Sequence, residues 1–200
     1  MKLLPALSFL VALAASPAVA SASTVLLDFE QNWQYGDAID NVYAGNGVSF
    51  TNVLGVSNDI DFTYYSGAPS MVGVAMAQLD GEVNTSAFMN VTAGVGSSIS
   101  FYYASPATVL GAVKAYSGLN GTGELLGTFD LVSNGAGYDV WTPTTFTFTG
   151  VARSFDLTGS ANVVGLDNIS ITAVPEPESY ALALLGLGLL AALSRRTKRQ

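Results

Sequence analysis

The segment Thr145-Phe146-Thr147-Phe148-Thr149 alternates hydroxyl and phenyl side chains without a break. Successive side chains of an extended strand point to opposite faces, so both rings go to one side and the threonines to the other. Asn168-Ile169-Ser170-Ile171-Thr172 repeats the pattern with two isoleucines. Such segments need a sheet with one buried and one wet face, which is the antiparallel solution.

Strand signals of this kind recur along the middle of the chain: Thr24–Glu30, Gly47–Val53, Met71–Ala77, Ser86–Val91, Ser97–Tyr103, Val109–Tyr116, Glu124–Val132, Thr144–Thr149, Val151–Leu157 and Val163–Thr172. Turn chemistry separates them at Asn46-Gly47, Asp80-Gly81, Leu119-Asn120-Gly121 and Asn134-Gly135. No window outside the two ends has helical periodicity, and no repeat of constant period occurs. About ten short strands in ~150 residues predict an all-β fold, a two-sheet antiparallel β-sandwich of jelly-roll type.

The two ends read differently, and they inflate a mean hydropathy of +0.41. Lys2 precedes a short apolar run, Leu3–Ala15, and Ala18-Val19-Ala20 and Ala20-Ser21-Ala22 supply small residues of the kind signal peptidase reads. Residues 1–22 are therefore expected to be a secretory signal cut after Ala20 or Ala22; the run is too short for a membrane anchor. At the other end, Tyr180–Leu193 is uncharged, and its fourteen residues would make a helix of about 21 Å against a hydrocarbon core of ~30 Å. The basic cluster 195–199 would stay on the cytoplasmic side and leave residues 23–174 outside. A helix that holds only marginally suits a temporary stop better than a permanent tail anchor.

Val174-Pro175-Glu176-Pro177, a short apolar run rich in Leu and Gly, and a terminal Arg cluster together resemble the PEP-CTERM sorting tail. That resemblance implies processing by exosortase, a membrane-embedded protease-transpeptidase of Gram-negative bacteria that make exopolysaccharide. Residues 175–200 would be the tail. Pro175, Glu176 and Pro177 would be the recognised motif, residues 180–193 the membrane segment, and Arg195, Arg196, Lys198 and Arg199 the stop signal. The implied partners are signal peptidase, exosortase and, transiently, the inner membrane. The destination would be the cell surface or the extracellular matrix of a biofilm.

Residues 23–174 carry two cations, Lys114 and Arg153, against thirteen carboxylates, a net charge near −11. Such a surface repels phosphate backbones and excludes nucleic acid as a partner. The chain has no His and no Cys. That removes His-based triads, thiol nucleophiles and the usual zinc sites. No glycine-rich phosphate cradle opens a helix. A carboxylate pair is the remaining catalytic option, as in glycoside hydrolysis, with Asp59/Asp61 and Asp80/Glu82 as the pairs. Surface acids on turns explain them equally well, so no enzyme is expected and no catalytic residue is assigned.

Two further sites are expected. Trp33, Tyr35, Tyr64 and Tyr65 lie in polar, turn-like sequence and are the aromatics best placed to stack on glycan rings, whereas most other Phe and Tyr belong to the core. Glu30 and Asp167, with Asp28 and Asn168 in reserve, could hold a structural calcium ion, because carboxylates and carbonyls supply oxygens without His or Cys. Asp28 and Glu30, two apart on the first strand, would share a face. The competing reading, ranked ahead, is that Asp167-Asn168 closes a turn through hydrogen bonds to backbone.

Leu27-Asp28-Phe29-Glu30, Tyr116-Ser117-Gly118, Gly121–Leu126, Phe148–Ala152 and Gly165-Leu166-Asp167-Asn168-Ile169 also resemble the β-sandwich ectodomains found in front of such tails. These are similar to jelly-roll carbohydrate-binding modules, and the resemblance implies contact with exopolysaccharide and a calcium between first and last strands.

Overall fold

The computed structural model describes residues 23–34, 36–57, 65–174 and 185–188. The segment 22–175 is one compact unit. It holds nine strands: β1 (Ser23–Leu27), β2 (Val48–Thr51), β3 (Val53–Ser57), β4 (Gly73–Ala77), β5 (Phe88–Ala104), β6 (Val109–Tyr116), β7 (Leu125–Leu131), β8 (Thr142–Asp156) and β9 (Gly165–Ala173). All pairings are antiparallel, in the order β3-β4-β9-β5-β8-β6-β7, with β1 also on β9 and β2 also on β5.

The all-β expectation holds, but the strands form one curled sheet rather than two separate ones. Two long strands make the continuity. The start of β5 pairs with β2 and the end of β8, through Asn90 opposite Ser154. Its later part pairs with β9 and the start of β8, through Ile99 opposite Ile171 and Phe146. Register shifts between Asn90 and Val95 and between Gly96 and Ser98 bend β5. Gly94 and Gly150 stand at φ +82 and +83, the conformation such a corner demands and other residues resist. Each long strand therefore contains two of the predicted short ones. Conversely, β3 was not foreseen as a strand of its own, because Val53-Leu54-Gly55-Val56-Ser57 lacks a two-residue period.

The alternation that predicted strands also fixes the core. Phe146, Phe148, Ile169 and Ile171 are buried, while Thr145, Thr147 and Thr149 are exposed. Phe101 on β5 meets Phe129 on β7 edge-on at 6.3 Å, although these strands are not sheet neighbours. Phe129 in turn stacks on Phe146 at 5.2 Å. The curled sheet thus closes on its own apolar face. The void lined by Met89, Ile99, Phe101, Val113, Phe155 and Leu166 is only about 10 Å³, and its apolar walls offer a water no hydrogen-bond partner.

Residues 185–188 are helical, and among the described residues no helix is long and apolar enough to cross a membrane. The expected signal 1–22, the motif Pro175-Glu176-Pro177, the rest of 180–193 and the basic cluster lie outside the described residues.

Candidate functional site

The end of β1 meets β9 at a corner that gathers the four residues proposed as metal ligands. The first strand was predicted to run to Glu30 but stops at Leu27. Phe29 turns the chain, at φ +55, a conformation that is unfavourable for a bulky residue. Packing holds it there. Its ring is fully buried against Tyr43 at 5.6 Å and Phe50 at 6.0 Å, and its N–H donates to the Tyr43 hydroxyl at 2.8 Å. Its carbonyl accepts from Trp33 Nε1 at 2.9 Å. Because the backbone leaves the extended state here, the expectation that Asp28 and Glu30 share a strand face does not hold. Asp28 is hydrogen-bonded with Tyr43, while Glu30 Oε1 accepts from the N–H groups of Val72 at 2.8 Å and Gly73 at 3.3 Å.

Across the corner, Asp167 is fully buried. Its Oδ2 accepts from the Ser70 N–H at 2.8 Å and its Oδ1 from the Asn168 N–H at 2.7 Å. Asn168 sits at φ +48, which Asn tolerates, and its Oδ1 accepts from Ser70 Oγ at 2.8 Å. The loop from Ser70 to Gly73 is thus clamped by β9 on one side and by Glu30 on the other. Burial pushes the Asp167 carboxyl up to about 6, aided by the Glu30 charge and opposed by the N–H groups of Ser70 and Asn168. Burial, together with the charges of Asp28 and Asp167, holds the Tyr43 phenol up at about 12 against the Phe29 N–H, so it stays neutral.

The proposed calcium ligands Glu30 and Asp167 are therefore neighbours, while Asp167-Asn168 lies inside β9 and ties the distant Ser70 loop to the sheet instead of closing a turn. Among the described residues no three carboxylates converge closely enough to cage a metal ion. A hard cation here would have two carboxylates at most and would draw its other oxygens from neutral groups.

The aromatic residues expected to be exposed are not, where they are described. Trp33 and Tyr65 are 9% and 6% exposed. The Trp33 indole lies over Gly55 and Gly73, where a Cβ at either position would collide with it. Tyr65 packs edge-on against Tyr138 at 5.7 Å in a satellite cluster with Ala68, Val74 and Ala104. Polar sequence around these rings reflects turns, and the missing side chains of nearby glycines make room for Trp33. Tyr35 and Tyr64 lie outside the described residues, as do Asp59 and Asp61. Asp80 is a turn residue: its Oδ1 accepts from the N–H groups of Glu82, Val83 and Asn84 at 2.8–3.0 Å, which holds its carboxyl below the usual range. A catalytic acid would need the opposite shift.

The outer face offers a shallow groove of about 620 Å³ across β1, β9, β5 and β8. Leu26, Ser100, Tyr102, Thr145, Asn168 and Ser170 line it. Ser100 Oγ and Thr145 Oγ1 lie 3.0 Å apart across the strand pair. The sequence signal for this surface is the outward half of the same alternation that marked the core. It went unread because hydroxyl residues on strands carry no motif.

A single curled antiparallel sheet of nine strands with a hydroxyl-lined outer face defines an all-β class of domain. The chain's particular mark is its tail: residues 173–199 match the PEP-CTERM protein-sorting motif, the signal of an exported protein handled by exosortase. No curated protein matches the chain. Among solved structures it is similar to a family 6 carbohydrate-binding module at 14% identity, over 75% of this chain and 94% of that one, with a TM-score of 0.43. It is also similar to CBM35 from Paenibacillus barcinonensis (18% identity, 64% and 94% covered, TM-score 0.40). The K1 cleaved adhesin domain of Lys-gingipain from Porphyromonas gingivalis is similar at 18% identity, with 76% and 99% covered and a TM-score of 0.41.

Proposed function

We propose that this chain is a cell-surface or matrix protein, released from the membrane by exosortase, whose ectodomain works by binding or structure and not by hydrolysis. One observation carries the reading: the sorting motif begins at residue 173, the last residue of β9, so the signal is joined directly to a folded domain. Asp80, held ionised by its turn, is unsuited to be the proton donor of the carboxylate-dependent hydrolase that the sequence left as an alternative. Replacing Pro175-Glu176-Pro177 by three alanines is the test. Export should continue while tail removal stops, because two prolines keep that stretch extended and open to a protease. A variant that still loses its tail in a producing cell would refute the motif's role.

The groove supports a second, finer reading, contact with a neutral exopolysaccharide. Hydroxyl and amide side chains match sugar hydroxyls, and Tyr102 offers part of a ring for stacking. Tyr102→Ala should abolish retention on matrix polysaccharide in affinity electrophoresis, with the circular dichroism spectrum unchanged. A structural calcium at Glu30 and Asp167 belongs to the same proposal. It is supported by a buried carboxylate that feels the charge of a second one, while the two cations of residues 23–174 are Lys114 on β6 and Arg153 on β8.

A further inference from the structure

We propose that the ectodomain stands with one defined pole, where β1 begins and β9 ends, against a phospholipid surface as long as its tail is in place. This rests on the sorting reading above and adds an orientation and a contact surface to it. The pole is fixed by pairing. Ser23, first in β1, lies opposite Ala173, last in β9, and the next N–H, that of Val174, donates to the Gly94 carbonyl at 3.0 Å. The chain is therefore still tied to the sheet one residue before Pro175. Only residues 175–179 separate that tie from the uncharged run starting at Tyr180. Five residues span at most ~18 Å. A domain of ~150 residues has a radius of gyration of about 15 Å, and hence a width of roughly 38 Å. A tether shorter than half that width leaves no room to turn another face to the bilayer.

The chemistry of the pole fits an anionic headgroup layer. Five segments meet there: residues 23–25, 44–48, 91–97, 149–153 and 171–174. Val95 pairs with both Ala152 and Ala173, and the Thr92 N–H donates to the Gly47 carbonyl at 2.9 Å. None of the five contains a carboxylate, although residues 23–174 hold thirteen; Glu124 stands outside them, two residues before Leu126, whose carbonyl accepts from Thr149 Oγ1 at 3.3 Å. Their one charge is Arg153, whose Nε and Nη2 donate to the Thr92 carbonyl at 3.1 and 2.6 Å. That grip holds the guanidinium at the corner with further N–H donors to spare. Beside it Val151 is 43% exposed. A cation and small apolar residues on an otherwise acidic domain let this end approach phosphates that the remaining carboxylates would repel.

The opposite end provides the control. Val132 is 61% exposed, and its carbonyl accepts from the Tyr103 hydroxyl. Tyr103 lies eight residues along the bent β5 from Val95, at most ~26 Å at strand rise. The chain has no natural cysteine, so Val151→Cys and Val132→Cys each carry a single donor dye on the full protein. Energy transfer to an acceptor on the headgroups is read in vesicles of phosphatidylethanolamine and phosphatidylglycerol with no other protein present. The expected result is transfer at least twofold more efficient from position 151 than from 132. Flotation with equal transfer from both positions overturns the orientation while leaving the sorting reading intact. A difference that emerges only after exosortase is added overturns the lipid contact in favour of a protein one. Failure of either variant to float with the vesicles removes the membrane step of the sorting reading and this inference with it.

Discussion

The Ser70 N–H donates to the buried Asp167 carboxylate at 2.8 Å, joining residues 97 apart in sequence. The same carboxylate is pushed up to about 6 from 3.8, by burial first and by Glu30 as well, because two backbone N–H groups only partly offset the desolvation of its charge. Between those two values the folded state holds a proton that the unfolded chain has released. Stability from this group is thus gained as pH falls from 7 toward 4, and is lost as pH rises through about 6. The gap corresponds to about 3 kcal/mol. With chelator present, residues 23–174 should melt higher at pH 5 than at pH 7.5. Asp167→Asn should flatten that slope and lower the melting temperature at pH 5, since an amide oxygen cannot accept both N–H groups as the carboxyl does. Below pH 3.8 the sign reverses, because Asp80 is held ionised by its turn and loses that stabilisation when protonated.

Trp33 and Gly55 form a lock in which one residue fills the space another leaves. Gly55→Ala should destabilise by about 1–3 kcal/mol through overpacking against the indole. Trp33→Ala should cost about 3–5 kcal/mol through the cavity it opens. The two costs should not add, since the double variant removes the clash that makes the glycine necessary. Urea melts of the two single variants and the double variant check this; full additivity would mean that the two positions do not touch.

That lock also shows what the sequence concealed. Alternation in Thr145–Thr149 and Asn168–Thr172 told which side chains enter the core, because a two-residue period depends on the strand alone. The burial of Trp33 depends on two glycines that approach it from β3 and β4, 22 and 40 positions away. Nothing local distinguishes it from an exposed aromatic in a polar turn. The bends at Gly94 and Gly150 were read as strand ends for a similar reason: a glycine between two apolar stretches looks like a turn whether the chain reverses or only bends. At the corner of Glu30 and Asp167 the residue types were legible and their convergence was not, since it depends on Phe29 leaving the strand.

The Asn120-Gly121 pair stands at φ +53 and +67 in the loop between β6 and β7. Both values suit the left-handed positions of a tight hairpin, and the loop is then tied to its neighbours. Asn90 and Asn120 exchange hydrogen bonds at 2.8 Å, and Ser154 Oγ accepts from the Gly121 N–H at 2.9 Å. Gly121→Ala meets two penalties, the left-handed backbone and a Cβ placed 2.7 Å from the Phe88 ring. A loss of about 1–3 kcal/mol is expected in thermal melts. Asn120→Asp should cost less, because Asp also tolerates the left-handed region, keeps the oxygen that accepts from Asn90 Nδ2 and keeps the backbone N–H that donates to Asn90 Oδ1.

Chelation tests the proposed ion at the same corner that sets the pH response. The exposed Glu30 and the buried Asp167 bring two negative charges to one junction, and the charge of Glu30 already raises the affinity of Asp167 for a proton. A calcium ion would take the proton's place, so the two should compete. Added calcium ought to raise the melting temperature at pH 7.5, where the carboxylate is ionised, and do little at pH 5. At a hundredfold excess over the dissociation constant the ion would add about 2.7 kcal/mol, which shifts the melting temperature of a domain this size by several degrees. Asp167→Ala should abolish the calcium response, and Glu30→Gln should weaken it while leaving an acceptor for Val72 and Gly73. A melting temperature indifferent to calcium and to chelator at pH 7.5 would leave the corner as a hydrogen-bonded clamp alone. So would a calcium response that survives in Asp167→Ala.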